Sequence, residues 1–191
     1  MKAHLHQKLR SARESLVWKL DGLSEYDIRR PMTPTGTNLL GLVKHNAVSD
    51  SRYFGDVFDR PFTESLPRWD DPTAFLSDHW ANEHEGRDEI VDLYRRVWAH
   101  SDATIEQLDL DAKGYVPWWR EEVPLFNVIA ARLVDAVRHA GHADILRESL
   151  DGAVGESPGG LPLLGLDRPF WEARAAIIDR AASAFRLPGS A

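Results

Sequence analysis

The segment from Pro124 to about Leu150 constrains this chain most, because it reads as one long helix whose apolar face is interrupted by polar residues. Asp151-Gly152 supplies its stop, since glycine readily takes the left-handed conformation just past a helix end. At about 100° per residue, Asp135, His139 and His142 fall within roughly 60° of arc. Val128, Ala131 and Leu146 lie on the same stripe. A carboxylate on such a stripe is costly unless something compensates its charge, and a divalent cation would do so.

The rest of the chain reads as further helices. Residues 3 to 23 carry Leu5, Leu9, Leu16, Val17, Leu20 and Leu23 at helical spacing and predict a first helix. SEYDIRRPMTPTG is broken by Pro31, Pro34 and Gly36 and predicts a loop. Thr37 or Asn38 can cap a second helix through LLGLVKHNAVSDSRYFGDVF to about Phe58. The segment 59–86, with Pro61, Pro67 and Pro72, is expected to be mostly irregular and draped outside the bundle, with a short helix near Phe75. Residues 87 to about 108 predict the third helix, DLDAKGYVPWWREEVP a second loop, and the Pro124 segment the fourth helix. The connector GAVGESPGGLPLLG leads to a fifth, from about Asp167 to Phe185. No strand-type alternation is long enough to build a sheet. The expected class is therefore all-α, one domain over 1–191, arranged as an up-down-type bundle with a longer crossover; such bundles place metal sites between facing helices.

Composition narrows the function. A net charge of −7 with no basic run makes nucleic acid a poor partner. The absence of cysteine excludes disulfides, zinc–thiolate sites and a cysteine nucleophile, so any metal is held by imidazole and carboxylate. No stretch approaches the ~20 apolar residues of a membrane span. The N-terminal MKAHLHQKLR lacks a signal-peptide core, and the expected location is the cytoplasm.

His45 follows the apolar run LLGLV and sits where a core-facing residue is expected. With Asp135 and His139 it makes two imidazoles and a carboxylate with positions left open, a donor set suited to Zn, Ni, Fe or Mn. Plainer readings stand beside this one. His45 can be a hydrogen-bonded core or surface histidine, and Asp135 can pair with Arg132 or Arg138. His139 and His142 can belong to a solvated helix end. His4, His6, His79, His84 and His100 read as surface histidines.

Taken together, NLLGLVKHNAVSDSRYFGDVF, the VPWW loop and DAVRHAGHADILRESLDG resemble the DinB-like superfamily, in its mycothiol-transferase-like branch, over nearly the whole chain. The resemblance implies an up-down-down-up four-helix bundle, here with an extra C-terminal helix, often homodimeric and carrying a histidine-rich metal site. His45 and His139 match ligand positions of that pattern, and Asp135 stands where a carboxylate ligand is normally glutamate. His142 falls at the glutamine of an HRGQ-like segment, as an alternative ligand or a neighbour of the metal. Ala131 stands one turn before Asp135, where close relatives carry histidine. The implied chemistry is activation of a low-molecular-weight thiol of the mycothiol type, for S-transfer to, or isomerisation of, an electrophilic small molecule. In that setting Asp50 orients a ligand or acts as a base, although a surface carboxylate is the plainer reading. Trp118 and Trp119 wall the pocket, while Arg52 and Arg120 bind carboxylates of the thiol or acceptor. The alternative function is a non-catalytic metal-binding or stress-response scaffold.

Overall fold

Local signals in the chain set where its helices begin and end. In the computed structural model, which describes residues 1–69, 71–158 and 167–186, α1 spans Lys2–Trp18, α2 Glu25–Arg29, α3 Leu39–Phe54, α4 Arg87–Gln107 and α5 Leu125–Asp151. Asn38 caps α3, its side-chain oxygen accepting from the Gly41 amide at 2.8 Å and so satisfying a donor that a helix start otherwise orphans. Glu89 reaches back to the Gly86 amide at 3.1 Å and steadies the start of α4. Gly152, at φ +79°, ends α5 in the left-handed region as its sequence suggested.

Two expected loops contain regular structure instead. The first holds α2, where Ser24 accepts from the Asp27 amide at 3.1 Å. A single capped turn is too short to show a hydrophobic period. The second holds an antiparallel hairpin of β1 (Lys113–Val116) and β2 (Glu121–Pro124), with Val116 opposite Glu121. Its alternation is confined to buried Gly114 and Val116 against exposed Lys113 and Tyr115, below the length at which a period is legible. Apart from this pair of strands, the regular structure of the described residues is helical, as expected for an all-α bundle.

Within the unit Met1–Gly160, α3 packs most extensively on α4 and α1 on α5, and α3 also meets α5. One apolar cluster gathers Leu16, Leu20, Leu40, Val43, Ala47, Tyr94 and Leu146. Another gathers Leu9, Phe54, Ile105, Leu125, Val128 and Ile129. A polar layer falls between the two sets of positions on α1 and α3, and within the second set on α5. Arg13 of α1, Asp50 of α3 and Arg132 of α5 are all essentially inaccessible to water. Arg13 Nε donates to Asp50 Oδ2 at 2.9 Å, and Arg132 Nε donates to Asp50 Oδ1 at 2.8 Å. Desolvating such charges is costly, and geometry this close is what offsets it.

The last helix, α6 (Arg168–Ser183), lies in a second unit, Leu161–Ala191, and is capped by Asp167, which accepts from the Phe170 amide at 3.1 Å. Most of the glycine- and proline-rich connector before it lies outside the described residues. Among those residues no helix is long and apolar enough to cross a membrane.

Candidate metal centre

α3 and α5 face each other along the stripe that carries the interrupted apolar pattern. Their packing brings His45 to Asp135 and His139: one donor atom from each lies within 4.8 Å of the others. The rings of His45 and His139 meet edge to face with centroids 4.9 Å apart. Asp135 is divided between two partners. Its Oδ2 accepts from Arg132 Nη1, while Oδ1 stands 3.5 Å from His139 Nε2. Burial works to raise the Asp135 carboxyl, but the His139 hydrogen bond and the Arg132 charge outweigh it and hold the group far below the usual carboxylate range.

The 59–86 segment does not drape idly outside. It folds through turns at Pro72–Ala74 and Ser77–His79, flanking Phe75, and the second turn sits on α3. That seat depends on Gly41, where a Cβ would come within 2.0 Å of the His79 carbonyl oxygen. Lys44 Nζ donates to the carbonyls of Ser77 and Trp80 at 2.8 and 3.0 Å and ties the turn down. As a result buried Asp78 accepts from His45 Nδ1 at 2.7 Å and from the Trp69 indole at 3.3 Å. Burial would raise Asp78, yet these hydrogen bonds and the neighbouring imidazoles bring it below its ordinary value. With Nδ1 directed to Asp78, the other ring nitrogen, Nε2, has only a long 3.4 Å contact, to Ser49 Oγ, and a ring fixed in this way can present that nitrogen to a metal.

His79, expected at the surface, is indeed half exposed, but its ring lies 4.4 Å from that of His45. Burial and the nearby His45 and His139 lower its pKa, against the opposing pull of Asp78. His45, Asp78 and His79 form a second group of donor atoms within 4.8 Å, sharing His45 with the first. No period or motif marks Asp78, His79 or Trp69 in the sequence. The one local hint is a glycine inside the helix that carries LLGLVKH, a frequent sign of close backbone approach.

A cavity of about 580 Å³ opens beside the cluster, lined by His45, Ser49, Tyr53, Trp69, Trp119, Arg132, Asp135 and Arg138 among others. Of the two expected tryptophans, Trp119 lines it. Trp118 stands behind, donating from its indole to the Tyr53 hydroxyl at 2.9 Å. Arg52 is buried, its guanidinium stacked over Trp69 and Trp118 at 5.3 and 5.6 Å, and it lies outside the cavity lining. Arg120 is exposed at the hairpin turn, with φ +56°. Asp50, plainly read as a surface carboxylate, is instead buried, with one oxygen accepting from Arg13 and the other from Arg132. His142 is exposed, 5.5 Å from His139 ring to ring, and belongs to neither donor group. His6 is buried and paired with Asp102, while His100 is half buried against Phe62.

The donors fit a divalent ion. Two ligands of one ion stand at most about 4.2 Å apart, twice a metal–nitrogen bond, and the three donor atoms already lie within 4.8 Å of one another. His139 Nδ1 is buried without a hydrogen-bond partner among the described residues. Imidazole and carboxylate without thiolate suit Zn, Ni, Mn or Fe.

The family model for mycothiol S-transferases matches residues 4–152 of the chain, which takes in all but the first two residues of α1, the whole of α2 to α5, and every residue named above as a candidate ligand. No curated protein matches it.

Proposed function

The chain belongs to the mycothiol S-transferase family, and on that premise we propose that it transfers a small thiol of the mycothiol type to an electrophilic small molecule, with a divalent metal held by His45, Asp135 and His139. The observation that carries this reading is the convergence of those three donors from two helices beside an aromatic-walled cavity. About 580 Å³ lies within the ~300–1,000 Å³ usual for small-molecule pockets.

A bound divalent ion supplies one thing here, a lowered pKa for a coordinated thiol, so that thiolate exists at neutral pH. The protein does the rest. Asp78 fixes the imidazole of His45 so that Nε2 faces the centre. Arg132 takes one oxygen of Asp135 and leaves the other for the metal, which suits a side chain one methylene shorter than glutamate. Tyr53, Trp69 and Trp119 give the thiol or its acceptor apolar faces to lie on, and exclude water from the sulfur. Arg138 brings a cation to the same lining, where a carboxylate of the acceptor can pair with it.

The test is metal analysis and thiol consumption with a panel of electrophiles, on the wild type and on His45→Ala. A thiol of ordinary pKa near 8.5 is only about 3% ionised at pH 7. Full ionisation is therefore worth about 30-fold in nucleophile concentration, and at least that loss is expected in His45→Ala and in chelated wild type. Equal thiol consumption in both proteins with Zn, Ni and Mn sinks the proposal. Removing one imidazole that belongs to neither apolar cluster leaves the bundle's core intact, so helical content is expected to be unchanged.

A further inference from the structure

Resting on that metal reading, we infer that the Ser77–His79 turn is a second half of the centre, in which Asp78 holds His45 in its ligating orientation and His79 is a reserve ligand whose side chain yields its place to the incoming thiol. The turn is built onto α3. Two backbone carbonyls take Lys44, the His79 carbonyl lies 3.5 Å from Asn38 Nδ2, and Gly41 provides the gap in which it rests. A backbone fastened this firmly keeps both side chains at the centre.

The two side chains are treated oppositely. Asp78 is 3% exposed and committed to hydrogen bonds from His45 and Trp69. His79 is 48% exposed, and its nearest charged contact, Asp78 Oδ1, is 3.8 Å from Nε2, beyond hydrogen-bonding range. Its donor atom gathers with those of His45 and Asp78, outside the group that His45 forms with Asp135 and His139. An untethered imidazole on an anchored backbone reaches the shared His45 side of the centre by a rotamer change and leaves by the reverse. With a metal held by His45, Asp135 and His139, His79 would be the side chain that gives up its place, and an incoming thiol would bind there as thiolate. The thiol proton passes to water and no electron moves. The resting centre is then closed by protein, which protects it from water and stray anions.

Cobalt(II) serves as the metal probe and mycothiol as the thiol. Metal affinity is read by chelator competition, and thiol affinity from the sulfur-to-cobalt absorption band. Expected for His79→Ala is metal affinity about tenfold weaker, as for loss of a supporting group, with thiol affinity raised by a similar factor because its competitor is gone. Gly41→Ala touches no ligand, yet it is expected to shift both constants the same way by unseating the turn. Only a displaceable ligand moves the two in opposite directions. Unchanged metal affinity in His79→Ala, or thiol binding that weakens along with the metal, overturns the inference while leaving the three-ligand centre standing. A wild type that takes up no stoichiometric cobalt, or a His45→Ala that binds it as well as the wild type does, overturns the metal reading itself.

Discussion

Two histidine–aspartate pairs of almost equal length occupy different places in this molecule. His6 Nε2 meets Asp102 Oδ1 at 2.6 Å between α1 and α4, and His45 Nδ1 meets Asp78 Oδ2 at 2.7 Å between α3 and the crossover. Both imidazoles are largely buried. In both pairs burial pushes the aspartate up, and the histidine hydrogen bond outweighs it, helped by arginines at Asp102 and by imidazoles and an indole at Asp78. The difference is in what else holds the carboxylate. Asp102 also accepts from Arg10 and Arg13, each at 2.8 Å, and through Arg13 it joins the buried layer of Asp50 and Arg132. Asp78 shares its charge with imidazoles and an indole, and its histidine turns the other nitrogen toward a cavity that also presents Asp135. The same pair is a rivet where guanidinium groups saturate it. Where the second ring nitrogen is left without a close partner, the pair leaves a candidate ligand facing the cavity.

The comparison breaks most visibly at Arg13. Arg13→Met leaves Asp50 buried with only Arg132 and removes one of two guanidinium partners from Asp102. Breaking a buried ion pair from one side costs about 3–5 kcal/mol, and denaturant unfolding is expected to show a loss of that size. The folded fraction should keep its metal affinity, since no candidate ligand is touched. A loss under about 1 kcal/mol, typical of exposed pairs, would mean that water reaches this layer.

Asp78→Asn should do the reverse. Metal affinity is expected to fall about 10- to 100-fold, the usual consequence of removing the partner that orients a ligating histidine. Stability should drop by about 1.5–3 kcal/mol, the worth of a hydrogen bond to a charged group. Calorimetric metal titration beside a melting curve separates the two effects. Should Asp78→Asn unfold the protein and Arg13→Met spare it, the roles assigned to the two pairs are exchanged.

What the sequence made legible follows from the range of each signal. Helix ends were readable because caps act over three or four residues, as at Asn38, Asp167 and Gly152. His45, Asp135 and His139 stood out as polar residues on apolar stripes, and the folded helices bring them together. The same signal was present at Asp50, on the stripe of Val43, Ala47 and Phe54, and at Arg132, between Ile129 and Ala136. Reading Asp50 as a surface group ignored its position on that stripe. Asp78 and His79 are different in kind. They lie 33 and 34 positions beyond His45, in a segment whose prolines erase any period, and only the seat at Gly41 brings them in. Long-range placement of an irregular segment leaves almost no local trace.

The smallest effect expected is in the acid limb of stability, and it sharpens the comparison from the side of Asp102. Its carboxyl titrates lower in the folded chain than in the unfolded one, where an aspartate sits near about 3.9. A group with a depressed folded pKa contributes stability that is fully present above its unfolded value. That contribution is lost as pH falls through the folded value, because the unfolded chain then binds the extra proton more readily. Below about pH 4 the wild type should therefore lose the contribution of this rivet, along with those of other depressed carboxyls such as Asp135. Asp102→Asn has no such proton to take up. Its stability near neutral pH should be lower, but its decline between pH ~5 and ~3 should be shallower. Melting temperatures at pH 3, 4, 5 and 7 for the two proteins decide the matter. Parallel acid limbs would show that Asp102 is not a carboxylate through which acid loosens the α1–α4 contact, and that its arginines, not its ionisation, hold that side of the bundle.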